Sequence, residues 1–238
     1  MTNSKPGALI LGVCIAVGLA ALGALLSGAA IEFKQLERSV TVKGLSEREY
    51  EADIVIWPIQ FTEADNDLES LYNRIDSNTA TIRQFLQDRG ISADEISTSP
   101  PAITDKSAQQ YSAGVQAEFR YAAVQSVTVY SENVATVRQV MNSLSELGKQ
   151  GIVITGANYA AQTEYLFTRL NDIKPEMIEE ATRQAREVAE KFAADSDSRL
   201  GKIKRASQGQ FSINARDNNN PHIKNVRVVS TIEYYLSD

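Results

Sequence analysis

An uncharged apolar run opens this sequence, and stretches of period-two and period-3.6 patterning follow it. From Pro6 to Ile31, twenty-six residues pass without a charge. As a helix they would measure about 39 Å, more than the ~30 Å hydrocarbon core of a bilayer. From Ser39 the pattern changes to alternation. Val40 and Val42 share one face of a short strand read as ending at Gly44. A longer strand is predicted over Tyr50–Thr62, with Val55, Trp57, Ile59 and Phe61 on one face and Ile54 and Ile56 on the other, so that both faces read as buried. Pro58 within it cannot donate to a ladder and predicts an edge or a bulge there.

Asp65 reads as the N-cap of a helix that runs to Arg89, carries Leu68, Leu71, Ile75, Ile82 and Phe85/Leu86, and is closed by Gly90. Ile91–Thr98 returns as a strand, and Pro100-Pro101 stops it. Residues 104–117, polar and rich in Gly, Ala and Ser, read as an exposed hairpin tip or loop. The unit then recurs, with a strand over Phe119–Tyr130, a helix capped by Ser131 and closed by Gly148, and an extended stretch over Ile152–Gln162. A third helix spans about Pro175–Ser198, with Ile178, Ala181, Ala185, Val188, Ala189 and Phe192 on one side. Strands at Lys202–Ile213 and Asn225–Leu236 close the chain, joined by a turn at Asp217–Pro221. The order predicts an α+β fold of mixed β-sheets packed against three long helices through βαβ-like units, preceded by one N-terminal transmembrane helix.

Charge narrows the partners. The chain of 238 residues has net charge −6, and Lys5 is the one charged residue in 1–31, so the remainder is acidic and has no basic run. That balance excludes nucleic acid as the expected partner, and argues against electrostatic docking onto anionic lipid. Lys5 precedes the apolar segment, which predicts an N-terminus inside and a domain outside the cytoplasmic membrane. Residues 1–31 are therefore read as an anchor in the inner membrane, 32–38 as a linker and 39–238 as a periplasmic domain. The alternative is a signal peptide cut near Ser27-Gly28-Ala29-Ala30, with secretion to the periplasm. The run up to Leu26, near nineteen residues, is long for a signal and favours the anchor. Ala8, Gly12, Ala16, Ala20, Ala24 and Gly28 set a small residue at every fourth position, as helices that associate in membranes do. Twelve of the 23 residues from Ala8 to Ala30 are small, so the stripe is modest support for self-association.

Chemistry is sparse. The single cysteine, Cys14, lies in the apolar segment and allows no intramolecular disulfide; Val13 before it and the apolar run after it speak against lipidation. With one histidine and that cysteine, no zinc or copper site is expected. Asp65-Asn66-Asp67-Leu68-Glu69 resembles a calcium loop, but Ser70 stands where glycine is required and Asp76 where a bidentate glutamate belongs. Acids at a helix N-terminus explain it better. His222 in a polar loop reads as a surface histidine, and a Ser207–His222 dyad would need two strands to bring them together. There is no Gly-rich phosphate loop, and Trp57 reads as core. No catalytic, cofactor-binding or metal-binding residue is assigned, and no enzyme activity is expected.

Several stretches in order resemble the SIMPL-domain family of bacterial envelope proteins: Val40–Gly44, Asp53 opening the second strand, Leu86–Thr98, Tyr121–Val129, Glu180–Ala193, Leu200-Gly201-Lys202 and Val226–Leu236. Family glycines are replaced at Ser46, at Arg120 and within Asp197–Arg199. The resemblance implies an exported, non-enzymatic domain that forms homo-oligomers, in some members ring-like, and that supports tolerance of oxidative stress; it brings no functional residues. The alternative expectation is a binding module that captures a protein, peptide or glycan through loop 104–117.

Overall fold

The structure, a computed structural model, describes residues 5–36, 38–108, 118–155 and 162–237. Helix α1 (Lys5–Leu36) contains the apolar run. Among the described residues it is the one helix long and apolar enough to cross a membrane, and its window Leu9–Ala29 is uncovered by the rest of the chain. The helix continues to Leu36, through most of the stretch read as linker. The chain forms two compact units: a first, Met1–Glu47 with Lys174–Ser212 and Arg227–Asp238, and a second, Arg48–Ile173 with Ile213–Val226.

The second unit is built on strands β2 (Ile54–Asp65), β3 (Ile96–Thr98), β4 (Ala102–Asp105), β5 (Tyr121–Ser131), β6 (Val153–Ile154) and β7 (Glu164–Leu166), with helices α2 (Leu68–Gln87), α3 (Val134–Met141) and α4 (Ser145–Lys149). The sheet order is β3-β5-β2-β6, with β4 beside β5 and β7 beside β2, and these pairings are antiparallel. Because β2 and β3 both run against β5, they are parallel to each other with β5 between them; β5 and β6 flank β2 in the same way. The βαβ-like units are thus split, each with a strand of the other inserted, giving the β-α-β-β-α-β arrangement of ferredoxin-like sheets.

One face of this sheet holds the core. Val55, Trp57, Ile59 and Phe61 of β2 and Ala123, Val127 and Val129 of β5 pack on Leu71, Ile75, Ile82, Phe85 and Leu86 of α2 and on Val137, Val140 and Leu147 of α3 and α4. Ile54 and Ile56, read as a second buried face, are half-buried. The helix expected from Ser131 to Gly148 is two helices: α3 is capped by Asn133, which accepts from Thr136 N at 3.1 Å. It breaks at Asn142-Ser143, residues whose side chains compete with helical hydrogen bonds.

Pro58 lies in a central strand, not at an edge, opposite Thr128 of β5. The reason it is tolerated is on its other side. There β7 covers Ile54–Ile56 and β6 covers Phe61–Thr62. Gln60 O accepts from Thr155 N–H on that side. Backbone groups alternate along a strand, so Pro58 turns its missing donor to the same side, into the gap between β7 and β6.

The first unit packs helix α5 (Leu170–Asp195) on a sheet of β1 (Ser39–Glu51), β10 (Ile223–Ser237) and β8 (Arg199–Gln208); β9 (Ser212–Ala215), most of which belongs to the second unit, also pairs with β10. Gly44 does not end β1. The strand continues to Glu51, and a Cβ on Gly44 would collide with Ala181 O and fall 2.6 Å from Ala185 N. Glycine is there to admit the helix backbone. The matching face of α5 is Met177, Ala181, Ala185, Ala189 and Ala193, all buried, while Val188 and Phe192, read as part of that face, are exposed. The helix also begins five residues before Pro175. After it, Asp197 takes a left-handed conformation (φ 51°), and Ser198 N–H returns to Ala193 O at 2.8 Å. Asp197 therefore takes the place of a glycine expected in this turn, since aspartate tolerates that region better than most residues.

Candidate functional site

The residues singled out for chemistry do not converge. Among the described residues no group of three or more His, Cys, Asp or Glu could hold a metal ion. Ser207 is an exposed residue of β8 opposite Thr231 in the first unit, and His222 belongs to the second. The acids at Asp65–Glu69 serve the helix start. Asp67, not Asp65, is the N-cap of α2, accepting from Ser70 N at 2.8 Å. Asp65 accepts from Asn66 N, Asp67 N and Ser70 Oγ, and the Asp67 N–H, then the Ser70 hydroxyl, hold its pKa below the ordinary value. Trp57 is buried in the core.

Asp53, which the sequence marks only as the start of a strand, has a defined task. Its carboxylate accepts from Thr168 N at 2.9 Å, Thr168 Oγ1 at 3.0 Å and Arg169 Nε at 3.3 Å, while its own N–H donates to Leu166 O. It fastens the approach to α5 onto the start of β2. Burial works to raise its pKa, but the Thr168 and Arg169 hydrogen bonds outweigh it and the pKa is lowered from 3.8. Asp53→Ala is expected to cost about 2 kcal/mol at neutral pH, read by urea denaturation. The sign follows from the lowered pKa: the contribution is full above 3.8 and is lost as pH falls through the folded value, so mutant and parent converge in acid.

His222 is buried (8% exposed), which corrects the surface reading. Its backbone explains why: His222 O accepts from Ala52 N at 2.8 Å, drawing the Asp217–Pro221 loop inward. The ring lies 6.0 Å from that of Tyr165, and Nδ1 has no hydrogen-bond partner. Burial, then the charge of Arg138, lower its pKa from 6.5; Arg216 adds to this, and Glu51 and Asp217 oppose it. A neutral buried histidine resists a proton that the unfolded chain accepts, so stability falls as pH drops below about 6.5. Melting temperature should therefore fall between about pH 7 and 5 in the parent and hold nearly level in His222→Phe.

Two polar clusters escape the sequence pattern. Glu63, only 8% exposed on the helix-facing side of β2, meets Arg74 at 3.0 Å and Asn78 Nδ2 at 2.5 Å. Gln125 of β5 accepts from Thr79 Oγ1 and donates to Ser99 O, each at 2.8 Å. Both tie α2 to the sheet. On the helical side, a shallow depression of about 430 Å³ is lined by Ala80, Thr81, Gln84, Phe85, Asp88, Arg89 and Gln150. Its cation, Arg89, is committed: it lies 3.8 Å over the Phe85 ring, pairs with Glu146 and donates to Phe85 O.

Surfaces offer more than pockets. Along α1 the Cβ positions of Gly12 and Gly28, members of the small-residue stripe, face open space. Strand β8 is exposed along most of its length and carries Arg199, Lys202, Lys204 and Arg205 with no acid, which corrects the reading of a domain without a basic run. Its register slips twice against β10, between Glu233 and Tyr234 and between Tyr234 and Leu236. Lysines and bulges together guard an edge strand against unwanted pairing. The stretch read as loop 104–117 begins within β4, where Asp105 pairs with Tyr121 of β5, and Lys106–Ala108 follow as a 3-10 turn. Its base is closed by Arg120, whose 2.9 Å ion pair, with the Ser107 hydroxyl, holds the Asp105 pKa at about 2. Residues 109–117 of that loop lie outside the described residues.

A family model described as SIMPL, protein of unknown function (DUF541), matches residues 40–230. No curated protein matches the sequence.

Proposed function

The chain belongs to the SIMPL family, and from that premise we propose a non-enzymatic, membrane-anchored domain that self-associates on the periplasmic side of the inner membrane and supports envelope tolerance of oxidative stress. The observation that carries this reading is α1: an uncovered apolar helix with a small-residue stripe, joined to an acidic α+β domain. Lys5 before the span supports an N-terminus inside. Bare glycine and alanine positions let helix backbones approach closely, which drives association where no hydrophobic effect operates. The link to stress rests on the family resemblance.

Sedimentation in detergent tests the assembly. The full-length chain is expected to form dimers or larger species, and Ala16→Leu with Ala20→Leu to shift it toward monomer. A monomer both for the full-length chain and for residues 32–238 overturns self-association. N-terminal sequencing of the membrane-extracted protein should begin before residue 10; a start near Ala30 replaces the anchor by a cleaved signal. A second reading, capture of a partner through loop 104–117, draws on the Asp105–Arg120 closure of the loop base. It requires that deleting 109–117 abolish partner capture without lowering the melting temperature.

A further inference from the structure

The connection between α1 and the first strand of its unit is short enough to limit how far that strand can stand from the membrane surface. The apolar window ends at Ala29 and the helix at Leu36; those seven residues rise about 10 Å. A headgroup layer takes up about 5–7 Å of that on each side of the hydrocarbon core. Strand β1 begins at Ser39, and three residue steps reach at most about 11 Å. Whatever path the connection takes, the start of β1 stays within about 15 Å of the headgroups.

Arg38, inside that limit, is bound into the unit. Its carbonyl accepts from Leu236 N at 2.9 Å, and its Nη2 donates to Ser198 Oγ at 3.1 Å. Ser198 in turn closes the end of α5 through Ala193 O, and Arg199 stands opposite Ser237 at the start of β8. The end of β10, the start of β8 and the last turns of α5 therefore share the level of Arg38. That end displays Phe192, 54% exposed, and one turn earlier Val188, 37% exposed. Arg38 and Arg199 are also exposed. A lone exposed phenylalanine is ordinary on a protein surface. Here it is paired with a second apolar side chain on the same helix flank, close in the chain to the turn that Ser198 ties to Arg38, and it belongs to the unit that α1 tethers.

We propose that this end of the first unit, formed by Arg38, the last turns of α5 and Arg199, rests on the bilayer that α1 crosses, with Phe192 seated at the boundary of headgroups and acyl chains. Arginine donates to lipid phosphate, and an aromatic ring gains from the apolar side of the interface. Asp195 and Asp197 in the adjoining turn offset the arginines, so the contact suits zwitterionic phospholipid and needs no anionic lipid. This inference rests on the anchored reading proposed above.

The test uses full-length Phe192→Trp in nanodiscs of phosphatidylcholine, with and without brominated acyl chains. The buried Trp57 of the parent protein supplies the background. Bromination is expected to quench the introduced indole about twofold or more, and aqueous iodide to leave it largely unquenched. Quenching by iodide without a bromine effect overturns the proposal, and so does shielding from both quenchers, which indicates a protein contact. Intact mass of the nanodisc protein separates the failures. A chain cut near Ala30 removes the anchored reading itself, whereas a full-length chain whose introduced indole is open to iodide removes the surface contact alone.

Discussion

Gly44→Ala is expected to destabilise the first unit by about 3 kcal/mol or more, at the upper end of what overpacking does in a close-packed site. The added methyl would meet the carbonyl of Ala181 and the amide of Ala185, both backbone atoms of α5. A clash with the tip of a flexible side chain relaxes by rotation; a clash with helix backbone requires α5 to lift off the sheet. Lifting it would unpack Ala185 and Ala189 from Val42, Ile232 and Tyr234 and stretch the 2.7 Å hydrogen bond from Ser46 Oγ to Glu180. For a domain of this size the loss corresponds to a drop of about 6–12 °C in melting temperature. Ala181→Gly is the informative companion. It relieves nothing, because the obstructing atoms are backbone, and glycine inside a helix costs about 1 kcal/mol of its own, so a Gly44→Ala, Ala181→Gly double variant should be at least as unstable as Gly44→Ala. Recovery in the double variant would show that side chains set the spacing.

Glu63→Ala is expected to cost about 2–4 kcal/mol, since it strips a buried carboxylate from Arg74 and Asn78 and leaves a void on the core side of β2. The loss does not measure what the pair is worth. Arg74 is 56% exposed and can return to water, whereas Asn78 keeps a donor facing the vacated site. Replacing the group together, as Glu63→Leu with Arg74→Met and Asn78→Leu, should recover most of the stability, because buried ion pairs give little over well-packed apolar groups. Chemical denaturation of the two variants decides between these. If the triple variant is as unstable as Glu63→Ala, the cluster contributes net stability and does not simply fix how α2 seats on the sheet.

The contrast between these residues and the rest of the domain explains what is legible in the sequence. Strand β2 and helix α2 announce themselves because each buries one face of large apolar residues, and β5 because its buried positions alternate strictly, so burial and period coincide along a few consecutive positions. The face of α5 misleads for the opposite reason. Its buried positions are mostly alanines, which carry little weight in a hydrophobic pattern, and the large residues Val188 and Phe192 point to an exposed flank. Gly44 looks like a strand end because its role depends on residues some 140 positions away. His222 and Asp53 follow the same rule: Ala52 and Tyr165 lie far from His222 along the chain, and Thr168 far from Asp53, and no local signal reports a long-range partner. The break at Asn142 in the helix expected from Ser131 is written in the sequence, but the apolar periodicity from Val134 to Leu144 outweighs it.

The short bond from Ser39 Oγ to Glu233, at 2.6 Å, joins residues 194 positions apart. Strand β10, which makes that contact, lies between β1 and β8 in the sheet. A chain exported from its N-terminus would therefore present β1 at the membrane first and hold it without its neighbour until residues near 230 emerge. The second unit has its principal strands and helices in place much earlier, by about residue 166. Non-local pairing of this kind is slow because loop closure must precede any gain from contact. The first unit is thus the last to close, and β1 and β8, which both wait for β10, are its strands longest without a partner as the chain is made.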